Sequence, residues 1–308
     1  MAEASNQRIA YYNGDYLPEG EIRIPFRDRG FLYGDGVFDM TRTFNGKIFK
    51  IREHIERLYR SLKALRIDAG LMPEQMIEIS REVLDRNSHF LDESTDYWVA
   101  QRISRGLAAV GDEGWDQEGA TVIVECLPLP LQARATYYRD GLDLVLSPVR
   151  RTAPDALTPR AKTLNYLNLI NANMAAPGPG ENAYTILLDA NGNLCEGLGA
   201  NIFLVKDDVC LTPREQFVLP GVSRACAIEL AQKLGFRVVE KDLDLYDAYN
   251  ADEMFLTSTS LCIVPAKSFC GAVIGDGCIP GPVTRKLTDA YIDLVDFDYV
   301  AQYLRHLE

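Results

Sequence analysis

The stretch that decides the fold runs from Pro159 to Phe203. It opens PRAKTLNYLNLI (159–170) and closes LCEGLGANIF (194–203). In the first piece Lys162 stands at what reads as the mouth of a helix over 165–175, followed by Asn165 and Tyr166. In the second, Glu196 stands alone among Gly197, Gly199 and Asn201, between two strand-like runs. A lysine that condenses with a carbonyl needs an apolar, partly desolvated setting, so that its amine can be neutral near pH 7. Leu164, Leu167 and Ile170 are the candidate walls. A carboxylate on a glycine-lined backbone, which a flat ligand can approach closely, suits a protonated ring nitrogen. Taken singly, a lysine at a helix start is usually a solvated charge, and a Glu-Gly pair is usually a turn.

Outward from that stretch, composition narrows the classes. The chain has 308 residues, 47% hydrophobic and 25% charged, enough for two domains with their own cores. A net charge of −12 argues against nucleic acid or an anionic membrane as partner. The start, MAEASNQRIAYYNGDYL, has no apolar core of a signal peptide, and no 18-residue apolar run suggests a membrane span. Seven scattered cysteines (126, 195, 210, 226, 262, 270, 278) without a CxxC pair read as reduced thiols of a cytoplasmic protein. His54, His89 and His306 share no paired spacing, which disfavours a histidine–metal site or Ser-His-Asp catalysis.

Along the chain, Ile9–Tyr12 and Ile22–Ile24 read as short strands around an Asn13-Gly14-Asp15 turn. The charged loop 26–30 and the Gly34-Asp35-Gly36 turn lead to runs 37–44 and 47–49, joined by Asn45-Gly46, a strong hairpin signal. From Arg52 to Arg66, Ile55, Leu58, Leu62 and Leu65 recur on one helical face, with Arg57 beside the stripe. A second helix follows Pro73. In the strand 97–105, Trp98, Ala100, Arg102 and Ser104 share a face. The proline pair in Leu127-Pro-Leu-Pro-Leu131 breaks both periodicities and marks a linker. The second half alternates strands and helices without an internal repeat, and 177–180 is a loop. Pro220-Gly221 precedes a helix whose first amides, from Val222 and Ser223, make an anion site.

Six blocks in chain order resemble the fold-type IV pyridoxal-phosphate enzymes. These are the branched-chain, D-amino-acid and (R)-selective amine transaminases and aminodeoxychorismate lyase. The blocks are DRGFLYGDGVFD (28–39), HIERL (54–58), KTLNY (162–166), EGLGANIF (196–203), LPGVSR (219–224) and TSTS (257–260). The resemblance implies an α+β or α/β chain of two domains. A small N-terminal α/β domain (1–127) and a linker (128–134) precede a larger C-terminal pseudo-barrel that binds the cofactor (135–308). The implied cofactor is pyridoxal 5′-phosphate, with no metal. Lys162 would form the resting Schiff base and carry the substrate proton, and Glu196 would face the ring nitrogen. Tyr166 would bond the ring's phenolate oxygen. Arg57, the Val222 and Ser223 amides, and the Ser258 and Thr259 hydroxyls would hold the phosphate.

The implied activity is a ping-pong transfer of an amino group between a branched-chain or other small amino acid and a 2-oxo acid, in a homodimer. An (R)-amine or D-amino-acid transaminase is the alternative, ahead of a lyase or a non-catalytic cofactor-binding protein. Tyr33, Phe38, Trp98 and Arg102 are the candidate substrate residues. Ala100 departs from the family, whose members carry arginine, lysine or glutamate there. The RGLAAVGDEGW segment (105–115) lacks the Arg-x-His trap of D-amino-acid enzymes. Arg102, on the Ala100 face, is left to bind a substrate carboxylate or to form a salt bridge.

Overall fold

A computed structural model describes residues 7–91, 95–108, 119–177 and 180–308. Residues 1–6, part of the 105–115 segment and part of the 177–180 loop lie outside it. The chain divides into two compact units, Met1–Leu129 with Ala161–Tyr166, and Pro130–Arg160 with Leu167–Glu308.

The first unit holds strands β1 (Ile9–Tyr12), β2 (Asp15–Pro18), β3 (Gly36–Phe44), β4 (Lys47–Ile48), β5 (Tyr97–Ser104) and β6 (Thr121–Pro128). Its helices are α1 (Arg29–Tyr33), α2 (Ile51–Leu65) and α3 (Pro73–Arg86). The strands form one antiparallel sheet in the order β2-β1-β6-β5-β3-β4. One core joins Ile55, Leu58 and Leu62 of α2 and Met76 and Val83 of α3 to Val99 and Ile103 of β5. Each such side chain contributes about 1.5–3 kcal/mol when fully buried. At the β3–β4 hairpin, Asn45 and Gly46 both take positive φ, 47° and 74°, as a two-residue turn requires. Two local expectations change. The second N-terminal strand is Asp15–Pro18, not Ile22–Ile24, because the Asn13-Gly14 turn pairs Tyr12 directly with Asp15. The charged loop is partly α1, started by Asp28, whose carboxylate accepts the Gly30 N–H at 2.7 Å.

The second unit holds β7 (Leu142–Leu146), β8 (Ala183–Leu188), β9 (Leu194–Gly197), β10 (Ala200–Lys206), β11 (Val209–Thr212), β12 (Arg237–Glu240), β13 (Glu253–Ser258), β14 (Cys262–Phe269) and β15 (Ala272–Val273). Its helices are α4 (Leu131–Asp140), α5 (Leu167–Ala175), α6 (Val222–Lys233), α7 (Leu245–Tyr249), α8 (Pro282–Val295) and α9 (Tyr299–Leu304). The sheet order β12-β11-β10-β13-β14-β7-β8-β9 is closed by a further β10–β9 pairing. Strands β9, β10, β13, β14, β7 and β8 thus form the expected barrel. A strand packed on both faces reads as a continuous apolar run, which is why Ala200–Val205 and Glu253–Thr257 are buried throughout.

Two boundaries differ from the sequence reading. The proposed linker 128–134 already contains the first turn of α4. Residues 161–166, expected in the larger domain, belong to the first unit, held there by backbone bonds to β3: Phe38 N–H to Lys162 O and Leu164 N–H to Gly36 O, both 2.9 Å.

Candidate active site

Lys162 is not at a helix mouth. It lies in the extended 161–166 segment, where Thr163 forms a bridge to Val37, and α5 begins only at Leu167. The lysine is set by two elements. Its backbone N–H donates to Ser61 Oγ at 3.1 Å, and that hydroxyl donates to Arg57 O at 3.0 Å, tying the segment to α2. The expected walls Leu167 and Ile170 are 66% and 45% exposed. Aromatic rings replace them: Lys162 Nζ lies 4.3 Å from the Phe38 ring centre and 5.9 Å from that of Tyr166. The two rings meet edge to face at 5.5 Å.

Arg57, also on the first unit, is fixed from behind. Its Nε and Nη2 donate to the two oxygens of Asp39 at 2.8 and 2.7 Å, while His54 Nδ1 stands 2.7 Å from Asp39 Oδ1. All three side chains are buried. Burial alone would raise the Asp39 carboxyl, but the Arg57 guanidinium and His54 outweigh it and hold it well below the usual carboxylate range. Burial pushes His54 down, against the pull of Asp39 and reinforced by Arg57 and Lys162. Neither Asp39 nor His54 was singled out from sequence. The spacing of His54 and Arg57 on one helical face was the available signal.

Among the substrate candidates, Phe38 flanks the lysine and Trp98 is half-buried on β5. Tyr33 is 62% exposed on α1, where the Arg29 guanidinium lies over its ring. Arg102 does not stand as an uncompensated cation: its Nε donates to Glu125 Oε1 at 2.6 Å, and its guanidinium carbon lies 5.7 Å from the Phe38 ring centre.

The second unit assembles the other predicted residues around Asn201. Through β10 pairing, Asn201 lies beside Glu196 on one side and Thr257 on the other. Its Nδ2 donates to Leu219 O at 3.0 Å, and a Cβ at Gly221 would collide with its Oδ1. The Leu219-Pro220-Gly221 turn therefore sits tight against β10, at the start of α6. No side chain caps α6, so the Val222 and Ser223 amides meet no internal acceptor of that kind. Thr257 Oγ1 is buried with no hydrogen-bond partner among the described residues. Ser258 Oγ accepts the Leu261 N–H at 3.0 Å, and Arg134 brings a guanidinium to Ser260 Oγ at 2.6 Å. Glu196 is held at both oxygens, by Arg151 Nε at 2.8 Å and by the Leu219 N–H at 2.9 Å. Arg134, Arg151, Asn201 and Thr257 were not assigned roles from sequence, since only folding brings them to these motifs.

Residues 36–269 match the family described as amino-transferase class IV. The chain belongs to the class IV aminotransferases. It is 38% identical over 286 residues to a putative branched-chain-amino-acid aminotransferase of Methanocaldococcus jannaschii, covering 92% of this chain and 95% of the relative. It is 30% identical over 297 residues to the branched-chain-amino-acid aminotransferase of Escherichia coli K12, covering 92% of both. A solved branched-chain amino acid aminotransferase from the source abbreviated T.th., in complex with N-(5′-phosphopyridoxyl)-L-glutamate, superposes with a TM-score of 0.82 at 28% identity, over 93% of both chains. The same protein with pyridoxamine 5′-phosphate gives 0.80.

The aminotransferase uses pyridoxal phosphate. Its residues fit that group. An uncapped helix start beside an orphaned buried hydroxyl suits a phosphate. A lysine between aromatic rings suits the aldehyde, and a fixed carboxylate suits a ring cation.

Proposed function

We propose that this aminotransferase moves an amino group between a branched-chain or other small aliphatic amino acid and a 2-oxo acid. The observation that carries this reading is the aromatic, uncharged flank of Lys162, formed by Phe38 and Tyr166, which suits an aliphatic side chain. The names of the M. jannaschii and E. coli relatives support it. Pyridoxal phosphate supplies an electron sink for charge developing at the substrate carbon. Lys162 holds the aldehyde at rest and then carries the proton to and from that carbon. Glu196 keeps the ring nitrogen protonated, and Tyr166 donates to the ring oxygen. Arg57, the Val222 and Ser223 amides and the Ser258 and Thr259 hydroxyls hold the phosphate. Arg102 takes the substrate carboxylate in exchange for Glu125, and Tyr33 and Trp98 line the pocket. The exposed apolar side chains of α1, Phe31, Leu32 and Tyr33, support a homodimer as the working form. The scattered free thiols fit the cytoplasm.

One observation favours a second reading, an (R)-selective amine transaminase. Glu125 neutralises Arg102, which lowers the attraction for an amino-acid carboxylate. A donor panel of L-leucine, L-valine, D-alanine and (R)-1-phenylethylamine, each with 2-oxoglutarate and pyruvate, decides. Faster turnover of the L-branched donors is expected. Exclusive use of the aryl amine would replace the first reading by the second.

A further inference from the structure

Glu196 is positioned by residues outside the motifs that carry the cofactor roles above. Strand β9 delivers its backbone, but a glutamate side chain on a strand retains three rotatable bonds. Two bonds remove that freedom. Arg151 Nε–H donates to one carboxylate oxygen at 2.8 Å, and the Leu219 N–H donates to the other at 2.9 Å. Both side chains are largely buried, with relative exposures of 13% for Arg151 and 6% for Glu196. Arg151 is itself held by Asn168, whose Oδ1 accepts Arg151 Nη1 at 3.3 Å and the Thr152 N–H at 3.1 Å. Asn168 Nδ2 in turn donates to Arg150 O at 2.8 Å.

We propose that Arg151 is the positioning residue of Glu196, fixing the plane of its carboxylate for the cofactor's ring nitrogen. The inference rests on Glu196 having that ring-nitrogen role. With one N–H donor on each oxygen, the carboxylate cannot turn without breaking a bond. Each oxygen keeps a second lone pair for the ligand. The pair also keeps a buried carboxylate from standing alone, since an unpaired buried charge is costly. Leu219 extends the arrangement. The same residue that donates to Glu196 accepts from Asn201 and leads into α6, so the ring end and the phosphate end of the site share one turn.

The test is a double-mutant cycle on protein reconstituted with pyridoxal 5′-phosphate, using Arg151→Met, Glu196→Gln and the double variant. Two quantities are read: the absorbance spectrum of the bound cofactor across pH, and the dissociation constant for pyridoxal 5′-phosphate. Arg151→Met is expected to shift the spectrum in the same direction as Glu196→Gln. It should weaken cofactor binding by about ten- to a hundredfold, the range for a lost hydrogen bond to a charged group. The double variant should show no shift beyond that of Glu196→Gln alone. Arg151→Lys, which keeps the charge and tolerates the fold, should recover part of the wild-type spectrum. A wild-type spectrum in Arg151→Met, or effects of the two substitutions that simply add, would overturn the proposal. A spectrum unchanged in Glu196→Gln itself would overturn the ring-nitrogen assignment and this inference with it.

Discussion

Replacing Asp39 by asparagine probes the support beneath the phosphate arginine. Asp39 is fully buried, and its Oδ1 is approached by three nitrogens, each at 2.7 Å: Arg57 Nη2, His54 Nδ1 and the backbone N–H of Met40. Oδ2 accepts Arg57 Nε at 2.8 Å. Asparagine keeps the volume but supplies one acceptor oxygen and one amino group. Whichever way the amide turns, its NH₂ faces an N–H donor, and the guanidinium loses its counterion. Breaking a buried pair in this way costs about 3–5 kcal/mol. The expected loss is of that size in the unfolding free energy of the cofactor-free protein, read from urea denaturation. Because Arg57 loses its anchor, affinity for pyridoxal phosphate should fall in parallel, by about one to two decades if one charge-assisted bond of about 1.5–3 kcal/mol is lost. A variant within about 0.5 kcal/mol of wild type and with unchanged cofactor affinity would refute the anchoring role.

Arg57→Ala should weaken cofactor retention on dialysis by about one to two decades, for loss of the same kind of contact; unchanged retention would make Arg57 a structural partner of Asp39 only. His54 titrates below its ordinary value because burial disfavours its charged form. As pH falls below about 6.5, the unfolded chain therefore takes up a proton before the folded one does, and stability drops with acid. His54→Gln should flatten that slope between about pH 6.5 and 5, and an equally steep fall in its urea midpoint would contradict the assignment. Arg102→Leu should raise KM for amino acids and keto acids while sparing neutral amines in the amine half-reaction. Equal losses for both would show that its bond to Glu125 serves folding alone.

The barrel and the phosphate cup were legible because they rest on local signals. LPGVSR announces a helix start without a capping side chain, and all-apolar runs such as ANIFLV announce strands buried on both faces. The lysine's setting was not legible. KTLNY reads as a helix mouth, and only pairing with β3 shows it to be an extended segment whose walls are Phe38 and Tyr166. Leu167 and Ile170 have the right spacing for a wall but lie on the exposed side of α5, because the helix starts after the lysine's segment ends. The supporting residues were equally hidden. Asp39 lies 18 positions from Arg57, and Arg151 lies 45 from Glu196, separations over which a single sequence carries no pairing signal. Arg102 was placed on the correct strand face, but its partner Glu125 comes from the neighbouring strand β6.

The central claim is that Lys162 is the lysine that holds the cofactor. Reconstitution with pyridoxal 5′-phosphate, borohydride reduction and peptide mass spectrometry test it directly, because reduction fixes the cofactor to whichever lysine it occupies. The account predicts the reduced phosphopyridoxyl group on the peptide containing Lys162, and its absence from Lys162→Ala protein that remains folded. The same label on another lysine in the wild-type protein, or no label at all after saturation with cofactor, would contradict it.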